Sequence, residues 1–154
     1  SQLDPVFLLF LVGQAFTVYG VIIPAEIRDY FTDKAMGIKT MTVRLGLTRA
    51  SLSSITLLSA GGLLCGAGFL LKLVSSPYPA LAILLSVMVA AYAIILRKCV
   101  KLYLLSREYV HSKAQDSAAQ NIIELSSNNP KWITLITQTI VFMSLVLLAS
   151  KLLP

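Results

Sequence analysis

Charge is what this sequence has least of. Only 13% of its 154 residues are Asp, Glu, Lys or Arg, while 56% are apolar and the mean hydropathy is +0.80. A water-soluble domain carries about 25% charged residues, so that class is excluded. Histidine occurs once, at His111, in a polar stretch with no cysteine beside it, which argues against a His-based metal cage or a catalytic triad. The two cysteines, Cys65 and Cys99, lie within one apolar run and at the far end of another, so they read as packing residues rather than as a disulfide framework. No Walker loop, GxSxG or HExxH is present, nor any tandem repeat or low-complexity tract. Thirteen Lys and Arg against seven Asp and Glu leave a net charge of +6. On so apolar a chain that excess belongs to membrane loops and not to a nucleic-acid surface. No basic segment or cleavage site precedes the first apolar run, so no signal peptide is read. The opening Ser1 is expected to be an internal cut in a longer protein or the start of an incomplete gene model.

What is present is a set of long uncharged runs. A helix crosses the hydrocarbon core in about 20 apolar residues. Four intervals between charges reach that length: 21 residues from 5 to 25, 22 from 50 to 71, 24 from 73 to 96 and 19 from 132 to 150. Each is predicted to span as an α-helix, since backbone amides in lipid must bond within their own segment and the runs lack the alternation of barrel strands. The fold class is therefore all-α, a multi-pass helical bundle. Basic residues divide unevenly between the two faces that alternating spans define. Arg28, Lys34, Lys39, Arg44 and Arg49 follow the first span, and Arg97, Lys98, Lys101, Arg107, Lys113 and Lys131 follow the third, leaving only Lys72 and Lys151 opposite. The positive-inside rule puts both long loops on the cytoplasmic or organelle-equivalent side. Tyr78, Tyr103 and Trp132 fall near span ends, as interfacial aromatics do. Gly62 and Gly66 form a small-xxx-small pair in the second run and are expected to carry a close helix contact. The stretch from about 106 to 129 admits either a short amphipathic helix or a flexible loop.

The segment from 24 to 46 concentrates the polar chemistry. Pro24 suits the first turn of a new helical segment and Gly37 its end. Between them Glu26, Asp29 and Asp33 are spaced i, i+3, i+7, which puts three carboxylates on one stripe. Magnesium takes hard oxygen ligands, commonly one or two carboxylates together with substrate phosphates and water. Arg28, Lys34, Lys39 and Arg44 lie around the acids, and such cations can hold a diphosphate. Spacing alone favours a plainer reading, a solvated loop whose cations obey the positive-inside rule.

The string Asp29-xxx-Asp33, followed by GlyIleLysThrMetThrValArgLeuGly at 37–46, resembles the second aspartate-rich motif of the UbiA superfamily of intramembrane prenyltransferases. That motif runs DxxxD and then G-x-K/R-T-x-x-V-R-L-G. The resemblance implies a nine-helix fold with the motif between its sixth and seventh helices, which agrees with three spans after the cluster here. Residues 1–154 are then expected to be the C-terminal portion of such a domain, with its motif loop at 26–46. It further implies Mg2+ on Asp29 and Asp33, with Glu26 as a weaker ligand, and diphosphate oxygens on Lys34, Lys39 and Arg44. The family's first motif, NDxxDxxxD, is absent, and Glu108, Asp116 and Glu124 are spread too singly to replace it.

The implied activity is transfer of a prenyl group from an isoprenoid diphosphate to an aromatic or lipid acceptor in the membrane. A separately encoded N-terminal half or a second copy of the chain is expected to complete the pocket. The alternatives are a terpene cyclase of the same superfamily, in which the cation is captured by its own chain, and a non-catalytic membrane protein retaining the fold. Gln14, Thr17, Tyr19 and Gln138 are candidates for a tunnel lining, although helix-to-helix hydrogen bonding is the commoner role for such side chains.

Overall fold

The computed structural model describes residues 5–75, 79–111 and 115–127, with residues 135, 136, 138, 139 and 143 beyond them. Five helices are described: α1 (Pro5–Ala35), α2 (Met41–Leu45), α3 (Leu47–Ser75), α4 (Pro79–His111) and α5 (Gln115–Ser127). No strand occurs among the described residues, so the all-α class stands. Three helices, α1, α3 and α4, are long and apolar enough to cross a membrane. The expected span at 132–150 lies outside the described residues except at the few helical positions from 135 onward, and Tyr78 and Trp132 also lie outside them.

α1 does not restart at Pro24 but runs through it as one helix of 31 residues. Proline has no N–H, so the carbonyl of Gly20, four residues back, loses its helical donor, a serious deficit where no water can replace it. Ser54 of α3 supplies the missing bond, its Oγ donating to the Gly20 carbonyl at 2.5 Å. Gly20 permits the approach, because a Cβ there would stand 2.8 Å from the Leu58 side chain.

The same seam extends along both helices. Among the buried positions one series on α3 runs Leu47, Ser51, Ser54, Leu58, Gly61, Cys65 and Gly68, and one on α1 runs Phe10, Gly13, Thr17, Gly20, Pro24 and Ile27. Both series alternate steps of three and four, the spacing that keeps one face of a helix against a partner. α4 continues the pattern with Met88, Tyr92, Ile95, Cys99, Leu102 and Ser106, and α3 packs between it and α1. Phe10 and Phe69 meet edge to face at 5.3 Å. Thr17 Oγ1 donates to the Gly13 carbonyl at 2.8 Å and also contacts the Tyr92 hydroxyl, so it joins helices rather than facing a tunnel. Tyr19 is 67% exposed, and Gln138 is exposed as well. The expected close helix contact holds at Gly62, against α4, and fails at Gly66. The tightest approach of α1 to α3 runs through Gly13, Gly20 and Gly61, whereas Gly62 faces the Tyr92 ring of α4 and Gly66 has only the Met88 methyl at 3.9 Å.

Helices this long must leave the apolar layer. At 1.5 Å per residue α1 measures about 46 Å against a hydrocarbon core of about 30 Å. Its charged end, with the C-terminal end of α4, therefore projects beyond the layer. The two ends share a second apolar cluster of Ile23, Ile27, Tyr30, Leu47, Ala50, Leu102 and Ile122. Ile122 comes from α5, which settles the 106–129 stretch: residues up to His111 extend α4, and 115–127 form a helix docked on α1 and α4. What reads as loop thus contains a folded cap with its own core.

Gly61→Val should disrupt the α1–α3 seam, because the added Cβ collides with Thr17 Oγ1 and stands 2.8 Å from the Gly13 carbonyl oxygen. Overpacking of this kind costs about 1–3 kcal/mol. Gly66→Ala, whose added methyl would meet only the Met88 methyl at 3.9 Å, should not destabilise the fold. Thermal unfolding of the two variants in the same detergent checks the contrast.

Candidate functional site

Where α1 ends is set by Gly37. Its φ of 72° is the left-handed conformation that closes a helix, and the backbone bonds match that closure. The Ile38 N–H reaches the Asp33 carbonyl at 2.8 Å, and the Gly37 N–H reaches that of Lys34 at 3.3 Å. The chain then turns back, and Thr40 caps α2 by accepting from the Val43 N–H at 3.4 Å. Gly46 closes that short helix, with φ 78° and ψ 158° and its N–H on the Thr42 carbonyl at 2.9 Å. Its own carbonyl accepts the Ala50 N–H at 3.0 Å and so opens α3. Each glycine and each threonine of the 37–46 string therefore has a structural task.

Glu26, Asp29 and Asp33 follow one stripe of α1, as their spacing requires. Glu26 is half-buried, and its Oε2 accepts a hydrogen bond from Thr42 Oγ1 at 2.8 Å, which ties α2 to the acid stripe. Asp29 is 51% exposed and gripped by its neighbour: Arg28 Nε donates to Oδ1 at 2.8 Å and Nη2 to Oδ2 at 3.0 Å. That hydrogen-bonded guanidinium holds the Asp29 carboxyl below the usual carboxylate range, so it is ionised at neutral pH. Asp33, half-buried, occupies the last full turn before Gly37.

The cations are arranged less closely than the sequence suggests. Arg28 alone is bonded to the acids, while Lys34 lies over the Tyr30 ring, 5.6 Å from its centroid. Lys39 and Arg44 are exposed on the connection to α3 and form no ion pair among the described residues. No three His, Cys, Asp or Glu side chains converge as a metal cage among the described residues. An Mg2+ ion carried with a diphosphate needs only one or two protein carboxylates. On this row both Asp29 oxygens are held by Arg28 and one Glu26 oxygen by Thr42, so a bound ion would use Asp33 or displace the Arg28 pair. Glu108, Asp116 and Glu124, on α4 and α5, are exposed and add nothing to the row. Sequence reasoning missed Thr42. Its signal was a second threonine, two positions past the helix cap, in a segment of five residues too short to stand alone.

The fold is thus a membrane helical bundle with an acidic stripe at the charged end of α1. A family model, the UbiA prenyltransferase family, matches residues 1–102, two-thirds of the chain, from before α1 to within α4. The chain belongs to the UbiA prenyltransferase family. It is thereby an integral membrane protein of a family whose general activity is prenyl transfer from isoprenoid diphosphates and whose enzymes generally use Mg2+. No curated protein and no solved structure is a significant match.

Gly46 combines positive φ with extended ψ, a region open almost only to glycine, whereas the left-handed Gly37 also suits asparagine. Gly46→Ala should therefore cost about 1–3 kcal/mol, and Gly37→Asn well under 1 kcal/mol. Comparison of their unfolding midpoints checks the assignment.

Proposed function

We propose that this chain supplies the diphosphate-holding side of a membrane prenyltransferase, moving an isoprenoid group from its diphosphate to an aromatic or lipid acceptor. The observation that carries the reading is the row Glu26, Asp29 and Asp33 at the projecting end of α1, immediately followed by the capped 37–46 connection. Asp29 and Asp33, with Glu26 in support, would hold Mg2+, which when bound neutralises charge accumulating on the departing diphosphate. Lys39 and Arg44 are exposed cations free to take phosphate oxygens, and Lys34 lies one turn from Tyr30 on the same helix end. The apolar faces of α1, α3 and α4 keep water from an allylic cation and admit the isoprenoid tail from the bilayer. The row is one-sided among the described residues, so the acids and acceptor contacts facing it would come from beyond those residues or from a second copy of the chain. Sidedness follows from the basic residues, and we place the acidic end in the cytoplasm or its organelle equivalent.

In the full-length enzyme Asp29→Asn or Asp33→Asn should reduce turnover at least a hundredfold, since a lost metal ligand removes several kcal/mol of charge stabilisation. Membrane insertion should be unaffected. Wild-type rates in both variants at saturating magnesium would refute the site.

Topology is open to a separate check. A cysteine at Ala119 on α5 should react with an impermeant thiol reagent only from the cytoplasmic side, and one at Ser75, the end of α3, only from the other. Labelling of both from one face would remove a span.

A further inference from the structure

We propose that Thr42 is a positioning residue for the acid row, acting through Glu26; the inference rests on the functional reading above. Thr42 is fully buried, so its hydroxyl must find a partner within the protein. Hydroxyls elsewhere in these helices commonly bond to the carbonyl four residues back, as Ser51, Thr56, Ser86 and Ser106 do. Thr42 lies in the first turn of α2, where the helix offers no such carbonyl, and its single proton goes instead to Glu26 Oε2 on α1. Thr42 is itself held in place, with Thr40 capping the helix before it and the Gly46 N–H bonded to its carbonyl. Glu26 has three rotatable side-chain bonds, and one fixed oxygen restricts them together. The other oxygen is then presented at a defined place at the start of the row. A group that orients a ligand without touching the metal commonly changes metal affinity 10- to 100-fold when removed. The 37–46 string thus has a chemical purpose beyond shaping the turn, since it delivers the hydroxyl that aims the first carboxylate.

The test uses the full-length protein in nanodiscs with inorganic pyrophosphate, and reads Mn2+ binding by the electron paramagnetic resonance of the free ion. Thr42→Val keeps the shape and removes the hydroxyl, Thr42→Ser keeps the hydroxyl, and Asp29→Asn is the reference. Thr42→Val should weaken Mn2+ binding about tenfold and raise by a similar factor the Mg2+ needed for half-maximal activity, with the acceptor KM unchanged. Thr42→Ser should restore both to within about twofold, a rescue that loss of packing alone would not give. Unchanged Mn2+ affinity in Thr42→Val, or serine as poor as valine, overturns the inference. If valine prevents insertion, Glu26→Gln takes its place: a tenfold loss supports the aimed carboxylate, and wild-type affinity removes it. Asp29→Asn separates the levels. Wild-type Mn2+ binding in that variant defeats the metal site itself, whereas its loss alongside an intact Thr42→Val defeats only the role of Thr42.

Discussion

The bond from Ser54 to the Gly20 carbonyl is where membrane and site are joined. Pro24 deprives that carbonyl of its helical donor, and in lipid an unmet carbonyl favours breaking the helix or bending it away. With the serine in place α1 continues as one rod, so the three carboxylates beyond Pro24 are carried on the same rigid element that crosses the bilayer. The geometry also explains the local composition. Gly20 must lack a side chain for α3 to come near enough, and Ser54 must be small and able to donate. Gly13, Thr17 and Gly61 continue the close contact toward the other face of the membrane.

Beyond the bilayer the requirement changes from satisfying backbone to holding charge in place. The cluster built on Ile27, Tyr30, Leu102 and Ile122 anchors the projecting turns of α1 on the face adjoining the acids. The acids stand beside that anchored face, half-exposed or exposed, with one end of the row bonded to α2 and its middle to Arg28. A row so placed can meet a water-soluble headgroup while the attached chain lies in lipid. That placement is what the proposed function asks of a site for an amphiphilic donor.

The parts legible in the sequence were those that contrast with their surroundings. Charges are rare here, so the gaps between them marked α1, α3 and α4, and the spacing of Glu26, Asp29 and Asp33 marked a shared stripe. The packing seam was not legible, because every face of a lipid-embedded helix is apolar and hydrophobic periodicity loses its meaning. The informative signal was small and hydroxylic residues at steps of three and four, such as Ser51, Ser54, Gly61 and Cys65, and it pointed to Gly61 where Gly62 and Gly66 drew attention. Pro24 misled for a related reason. Its usual place is the first turn, and its tolerance within α1 depends on a serine 30 residues away in sequence. The Thr42–Glu26 bond and the docking of α5 are tertiary in the same sense, set by where α2 and α4 lie.

The most direct measurement is an anomalous-difference map from crystals of the full-length protein grown with Mn2+ and a non-ionisable prenyl diphosphate analogue. A manganese peak within coordination distance of a carboxylate oxygen of Asp29 or Asp33, next to the bound diphosphate and with the prenyl tail entering the apolar bundle, is the expected result. A bound diphosphate whose manganese lies away from this row would contradict the assignment of the acidic end of α1 as the donor site.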